Sequence, residues 1–311
     1  MAFAYGANRR VALIAEATAG TTPTTPTFLI TRTVTAEANV ARPKVDVNER
    51  RSDRMLAQVY KGLAGSSANL SIEWTDDDVL DSLLESALQG TWSTNVLKNA
   101  ATQKSFTMEI TDETGATDSF YRVRGLQVNT MSINIAPGQA ITSQIGMIGM
   151  DGVQDTAIIT GATYTAAGTE LVFCGTDFTL TDLYSLSSPQ IAGITLNITN
   201  NLRPQHSLNS SISPYPFGIG NGSFRVSGEI TCFRQDNTVA ALDLADTQGD
   251  IQFTIGVATN KKYSFDMLTA AVTGHRVTDG GNNGDVMDVI TFSALYDSGD
   301  TSALKITRNV A

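Results

Sequence analysis

The sequence predicts a mainly β protein of two tandem β-sandwich domains, each with a flanking α-helix and a long hairpin loop. Three observations carry this. Stretches such as "LQVNTMSINIA", "ITSQIGMIGM", "ITLNIT", "FRVSGEI" and "VITFSALY" alternate apolar residues with Ser, Thr, Asn or Gln at period two, as half-buried antiparallel strands do. Only "DDDVLDSLLESALQG" has a strong helical period, with "NTVAALDLAD" a weaker second instance. The order of elements in the first half then returns in the second.

Taken in order, residues 1–34 hold "TAGTTPTTPT", whose Thr and Pro suit an extended arm and first strand rather than a compact core element. Residues 1–20 are expected to be mobile in the free subunit and ordered on assembly. Residues 35–155 form the first domain. A strand opens at Val45–Val47 and runs into a long charged loop holding Glu49, Arg50, Arg51, Asp53, Arg54 and Lys61. Its mixed signs distinguish it from a one-sign nucleic-acid patch, and its length exceeds a simple hairpin turn, so it is expected to contact another subunit. After "ANLSIEW", Val79, Leu80, Leu83, Leu84, Ala87 and Leu88 line one side of a helix. Thr75 is the expected N-cap, Asp76, Asp77 and Asp78 fill the first turn where the helix dipole favours carboxylates, and Gly90 is the expected left-handed terminator. Adjacent helical positions splay too far apart for the three aspartates to converge on a metal.

Residues 156–190 read as an inter-domain linker, 191–300 as the second domain and 301–311 as a C-terminal tail. The second domain again opens on a strand, passes through a polar loop "NNLRPQHSLNSSISPYPFGIGNG", then "SFRVSGEIT", the weak helix and three more strands. Ser71, Glu73 and Thr75 align with Ser227, Glu229 and Thr231.

Chemistry is excluded more than it is indicated. With 21 basic against 31 acidic residues, the net charge of −10 argues against a basic nucleic-acid-binding surface. Cys174, Cys232, His206 and His275 exhaust the soft ligands, and no two of them have zinc-site spacing. No nucleophile elbow, P-loop, metalloprotease helix or dinucleotide turn occurs; "GIGNGS" has glycines at the wrong offsets, and "TDGGNNGDVMD" reads as a turn between strands. No catalytic residue, cofactor or metal is therefore expected. The start of the chain does not read as a secretory signal, and no apolar run reaches bilayer-spanning length, so synthesis in the cytoplasm and no membrane partner are expected.

The segments "VALIAEATAGTTPTTP", "ERRSDR", "KGLAGSSANLSIEW", "DDDVLDSLLESALQGTW" and "RGLQVNTMSINIAPG" together resemble the tail tube proteins of long-tailed bacteriophages, in the class where the tube domain is duplicated. The resemblance covers nearly the whole chain. It implies tail-tube-like β-sandwiches whose inner sheets join around a hole, with three two-domain chains closing a ring of six quasi-equivalent domains. Stacked rings would form a virion tail tube, synthesised in the bacterial host cytoplasm. Its partners would be other copies of itself and tail proteins such as the tape measure, terminator and distal tail proteins, and genomic DNA would pass through without specific binding. The second half departs from the pattern: it lacks the Asp triplet and Trp92, and a proline-rich loop replaces the arginine-rich one.

Lumen-lining strands are expected once per half, in 126–146 and 268–292, with a net negative wall. Alternation alone cannot say which face is inward, because a one-residue slip exchanges the faces. The rival reading is a carbohydrate-binding or decoration β-sandwich on the virion surface. It needs exposed aromatic platforms, and the only tryptophans, Trp74 and Trp92, flank the helix and are expected to pack against it.

Overall fold

The computed structural model describes residues 3–115, 117–208 and 213–310. The first half supplies β1 (Arg9–Ala15), β2 (Thr27–Ile30), β3 (Thr33–Ala41), the short pair β4 (Lys44–Asp46) and β5 (Val59–Lys61), β6 (Gly65–Glu73), helix α1 (Asp78–Leu88), β7 (Val96–Lys98), β8 (Phe106–Asp112), the long β9 (Ser119–Ile135), β10 (Thr142–Gly149) and β11 (Asp151–Asp155). Then come β12 (Thr163–Thr165), β13 (Phe178–Leu183), β14 (Ile191–Thr199), the short pair β15 (Arg203–Gln205) and β16 (Gly218–Gly220), and β17 (Arg225–Phe233). Helix α2 (Thr238–Leu244), β18 (Gln248–Ala258), the long β19 (Lys261–Asp279), β20 (Val286–Ala294) and β21 (Lys305–Arg308) complete the chain. The protein is mainly β.

One antiparallel sheet runs through both halves in the order β3-β6-β10-β9-β14-β17-β20-β19. The long strands β9 and β19 each leave it at their N-terminal ends. There β9 pairs with β8 and β11, and β8 with β1. Likewise β19 pairs with β18 and β21, and β18 with β13. In β9 the change of partners falls at Gly125, whose φ of +67° and close approach to Met150, 2.7 Å from a would-be Cβ, require glycine. Both sets of strands and α1 enclose a single hydrophobic cluster that crosses from one half to the other, with Trp74 against Tyr263 and Phe265 at its centre.

The two halves repeat not only strand order but irregularities. The register shift between Thr33 and Thr35 opposite β6 recurs between Ile191 and Gly193 opposite β17. Those at Gly146/Met147, opposite β9, and Phe106/Met108 recur at Thr291/Phe292, opposite the β19 shift Val272/Gly274, and at Gly249/Ile251. These bulges match Asp77 to Asn237, the residues preceding the two helices, and hence Ser71 to Thr231 rather than to Ser227. Ser227 thus lies four residues from the position equivalent to Ser71. An even shift preserves the faces of a strand, so alternation cannot detect it; a bulge can.

The three segments outside the two expected domains are paired with the rest of the structure. At the N-terminal end, β1 lies between β2 and β8, paired with β8 from Arg9 to Ala15, and Val11, Ala12 and Leu13 are buried, so this part is a core strand and not a mobile arm. The expected linker is bound in as well. β12 pairs in parallel with β2, and the Tyr164 ring stacks on Phe28 while its hydroxyl donates to the buried Glu109 at 2.5 Å. Burial, and then that carboxylate, push the Tyr164 phenol up to about 12. The tail holds β21, wedged between β19 and β7 with Leu304 and Ile306 buried.

Helix α1 buries Val79, Leu80, Leu83, Leu84, Ala87 and Leu88, the face that its periodicity indicates. Its N-cap is Asp77 instead of Thr75: the carboxylate accepts from Val79 N–H at 3.0 Å, and Asp78 opens the first turn. Thr75 is buried before the helix begins. The left-handed residue at its end is Gln89 (φ +49°), not Gly90, and its buried amide donates to Asn221 at 3.0 Å.

Candidate functional surface on the polar face of the main sheet

Each strand of the main sheet turns alternate residues to the core. Leu70 and Ile72 of β6, Ile133 of β9, Leu196 of β14 and Ile230 of β17 are all buried. The intervening residues face away from that core and share transverse rows. One row reads Thr35–Ser71–Gln144–Ser132–Asn197–Ser227–Ser293, an uncharged line of hydroxyls and amides across seven strands. The next reads Glu73–Thr142–Asn134–Thr195–Glu229–Thr291. Gln144 donates to Ser71 at 2.7 Å and Thr195 to Asn134 at 3.1 Å, so neighbours tie one another down. On this face the strands carry three carboxylates, Glu37, Glu73 and Glu229, against two guanidinia, Arg225 and Arg276, the last paired with Glu229 at 3.2 Å.

Gly146 lacks a side chain to fill its row, and a shallow depression of about 350 Å³ opens there among Asn69, Thr130, Gln144 and Asn197, where the halves meet. No ionisable group lines it. The segments 126–146 and 268–292 do supply strands of this face, together with β3, β6, β14 and β17. The faces, undecided by alternation, are thus distinguished by what packs on one of them.

The charged loop projects from the β4–β5 hairpin. Arg51 holds Asp53 through two hydrogen bonds of 3.1 and 2.8 Å and reaches Glu49 at 3.4 Å. Asp53 is held below the usual carboxylate range by Arg51 and then by the Met55 N–H, while Arg51 is raised by Asp53 and Glu49. Arg50 and Arg54 have no ion-pair partner among the described residues, and Lys61 ends β5 on the exposed surface. The apolar part of the loop was missed from sequence: Met55, Leu56, Tyr60 and Leu63 are each at least half exposed. The signal was present, since "RMLAQVYKGL" carries apolar residues with no helical or strict two-residue period to bury them. In the second half, residues 209–212 of the proline-rich loop lie outside the described residues; its flanks pair as β15 and β16.

The three aspartates diverge. Asp77 caps α1, Asp78 is exposed, and the carboxyl of Asp76 is raised by burial, with Lys261 opposing. Nor are the tryptophans platforms. Trp74 is fully buried and donates to Ser143 at 2.7 Å. Trp92 donates to the Asp81 carbonyl at 3.2 Å, and the Arg308 guanidinium covers its ring at 4.6 Å. His275 is bonded to Asp288 at 2.8 Å, beside Arg234 at 3.0 Å, and His206 is exposed.

The polar face spans the strands of the main sheet beside an exposed hairpin, and among the described residues no group of His, Cys, Asp and Glu converges as a metal site would. The family model of the phage tail tube protein matches residues 6–294. The chain belongs to that family. No curated protein matches it. A tail tube protein is a structural component of the phage tail, not a class of enzyme, and self-assembly is its business. No helix in the described residues is long and apolar enough to cross a membrane.

Proposed function

We propose that this tail tube protein carries two copies of one tube domain, near 35–155 and 191–300, and that three chains close edge to edge into a ring with pseudo-six-fold symmetry. The polar face of the main sheet lines the central hole. Rings stack through the β4–β5 hairpin, where Arg50, Arg54 and Lys61 supply charge and Met55 and Leu56 supply apolar contact to the neighbouring ring. The finished tube, made in the bacterial cytoplasm, joins tape measure, terminator and distal tail proteins and passes the genome during ejection.

The single observation that carries this reading is the main sheet itself: one face buried, the other hydroxyl- and amide-rich, and its two ends without a further strand among the described residues, along β3 and along Gly274–Asp279 of β19. Free edges of this length invite a further strand, and a closed ring removes them. A wall with slightly more carboxylates than guanidinia repels the phosphate backbone, whereas a basic wall would hold DNA by counterion release.

Electron microscopy of the purified protein tests this. Rings or tubes with three chains per layer are expected. Six chains per layer would overturn the duplicated-domain geometry, and dispersed monomers that bind a glycan array would favour the decoration-protein reading.

A further inference from the structure

Within one chain the two halves are joined by β9 on β14, antiparallel, with Ser132 opposite Asn197, Ile133 opposite Leu196 and Asn134 opposite Thr195. The matching bulges carry each strand of this joint onto a counterpart. β9 corresponds to the C-terminal part of β19, where Thr130 matches Gly274, and β14 corresponds to β3, where Gly193 matches Thr35. Those counterparts are the two end strands of the main sheet: among the described residues, β19 pairs only with β20 from Gly274 to Asp279, and β3 pairs only with β6.

The side chains at these edges look like half of a joint. Ile133 is 1% exposed and Ile141 fully buried, while their counterparts in the second half, Val277 and Val286, are 48% and 43% exposed. Neither edge carries proline or lysine to block pairing, the usual defences of an edge strand. We infer that the seam between copies repeats the internal joint residue for residue. β19 of one copy lies antiparallel to β3 of the next, with Arg276 opposite Asn39, Val277 opposite Ala38 and Thr278 opposite Glu37. This rests on the ring reading above and adds its register: Val277 and Ala38 complete the buried face, and the other two pairs continue the polar face across the seam.

The seam also differs from the joint that it copies. Within the chain, β7 of the first half clamps β21 of the second, bridging the halves a second time. Between α2 and β18 only residues 245–247 intervene, too few for a strand equivalent to β7. The seam therefore has the strand pairing without the clamp.

Mixing single-cysteine variants tests the register, because a bond between the two kinds of chain can form only across copies. Directly opposed residues in an antiparallel pair lie within disulfide reach, and residues displaced by two do not. N39C chains co-assembled with R276C chains should give a covalent dimer at least five-fold more abundant than either variant alone, which accounts for Cys174 and Cys232. E37C or A41C chains mixed with R276C chains should stay near that background. Stronger bonding in a displaced pair would overturn the register. Rings of normal symmetry with no bonding in any pair would overturn the edge pairing but leave the ring reading standing, and wild-type chains that never form rings would overturn both.

Discussion

Gly90 shows how much a single position can decide. A Cβ there would lie 2.3 Å from the Lys98 carbonyl oxygen, so the chain leaving α1 can turn into β7 only without a side chain. Gly90→Ala should cost about 1–3 kcal/mol in denaturant unfolding, as overpacking against fixed backbone does. Asp77→Ala should cost about 1 kcal/mol through the lost cap, and Asp78→Ala clearly less; equal losses would mean that the cap is misassigned. A pH effect belongs to this scale too. Burial tends to raise the Asp300 carboxyl, but Lys305 at 2.8 Å and Lys98 at 3.4 Å outweigh it and hold it below the usual range. A carboxyl depressed in the folded state binds its proton less readily there than when unfolded. The stability it adds is complete above its unfolded pKa of about 4 and is lost as pH falls through the lower native value. Asp300→Asn should therefore lower stability at pH 7 and flatten its decline between pH 4 and 2, read by unfolding at each pH.

Among the elements, β1 and the β4–β5 hairpin stand at opposite extremes. Because β1 is a paired interior strand with Val11 and Leu13 in the core, removing residues 1–15 strips about 1.5–3 kcal/mol for each large side chain, besides its ladder of hydrogen bonds. That deletion should abolish cooperative thermal unfolding, whereas removing residues 1–8 should leave the melting curve almost unchanged. The sequence signal was ambiguous here: Thr and Pro in "TAGTTPTTPT" correctly mark irregular chain, but that chain follows a core strand and does not extend to the terminus. The hairpin, by contrast, can change without touching the core. Arg50→Glu with Arg54→Glu, or Met55→Glu with Leu56→Glu, should leave circular dichroism unchanged and shorten or abolish tubes in electron micrographs. Arg51 is a poor probe, since its charge is already engaged by Asp53 and Glu49.

For the whole molecule, a shared core and the clamp of β7 on β21 hold the halves together, and the proposed seam between copies lacks both. Dilution or mild denaturant should release folded single chains that keep their near-ultraviolet dichroism, not separated halves. The inner wall can be tested by inverting its charge. Ser132 and Asn197 are opposite one another on the polar row, so Ser132→Lys with Asn197→Lys would place six added cations in each ring of the proposed three-chain form. Tubes of that variant should retain short duplex DNA in a salt-sensitive manner, with affinity falling steeply between about 50 and 200 mM salt. Wild-type tubes should retain none at the higher salt, and tight binding to them would contradict the proposed lumen.

Local chemistry alone determined a good deal: the β class, the one strong helix with its acidic start, the outward face of α1, the mixed-charge hairpin and the return of the same elements in the second half. Each of these depends on residues close together in the chain, where side-chain period and capping preference act directly. What pairs with what was decided only in three dimensions. Alternation survives any even shift, so Ser227 was as good a match for Ser71 as Thr231 until the bulges broke the degeneracy. Which face of the main sheet is covered, whether β1 lies in the core, and why Val277 is exposed while Ile133 is not all depend on strands far apart in sequence. Period-two patterns record that a strand has two faces; only the neighbouring strand establishes which one is covered.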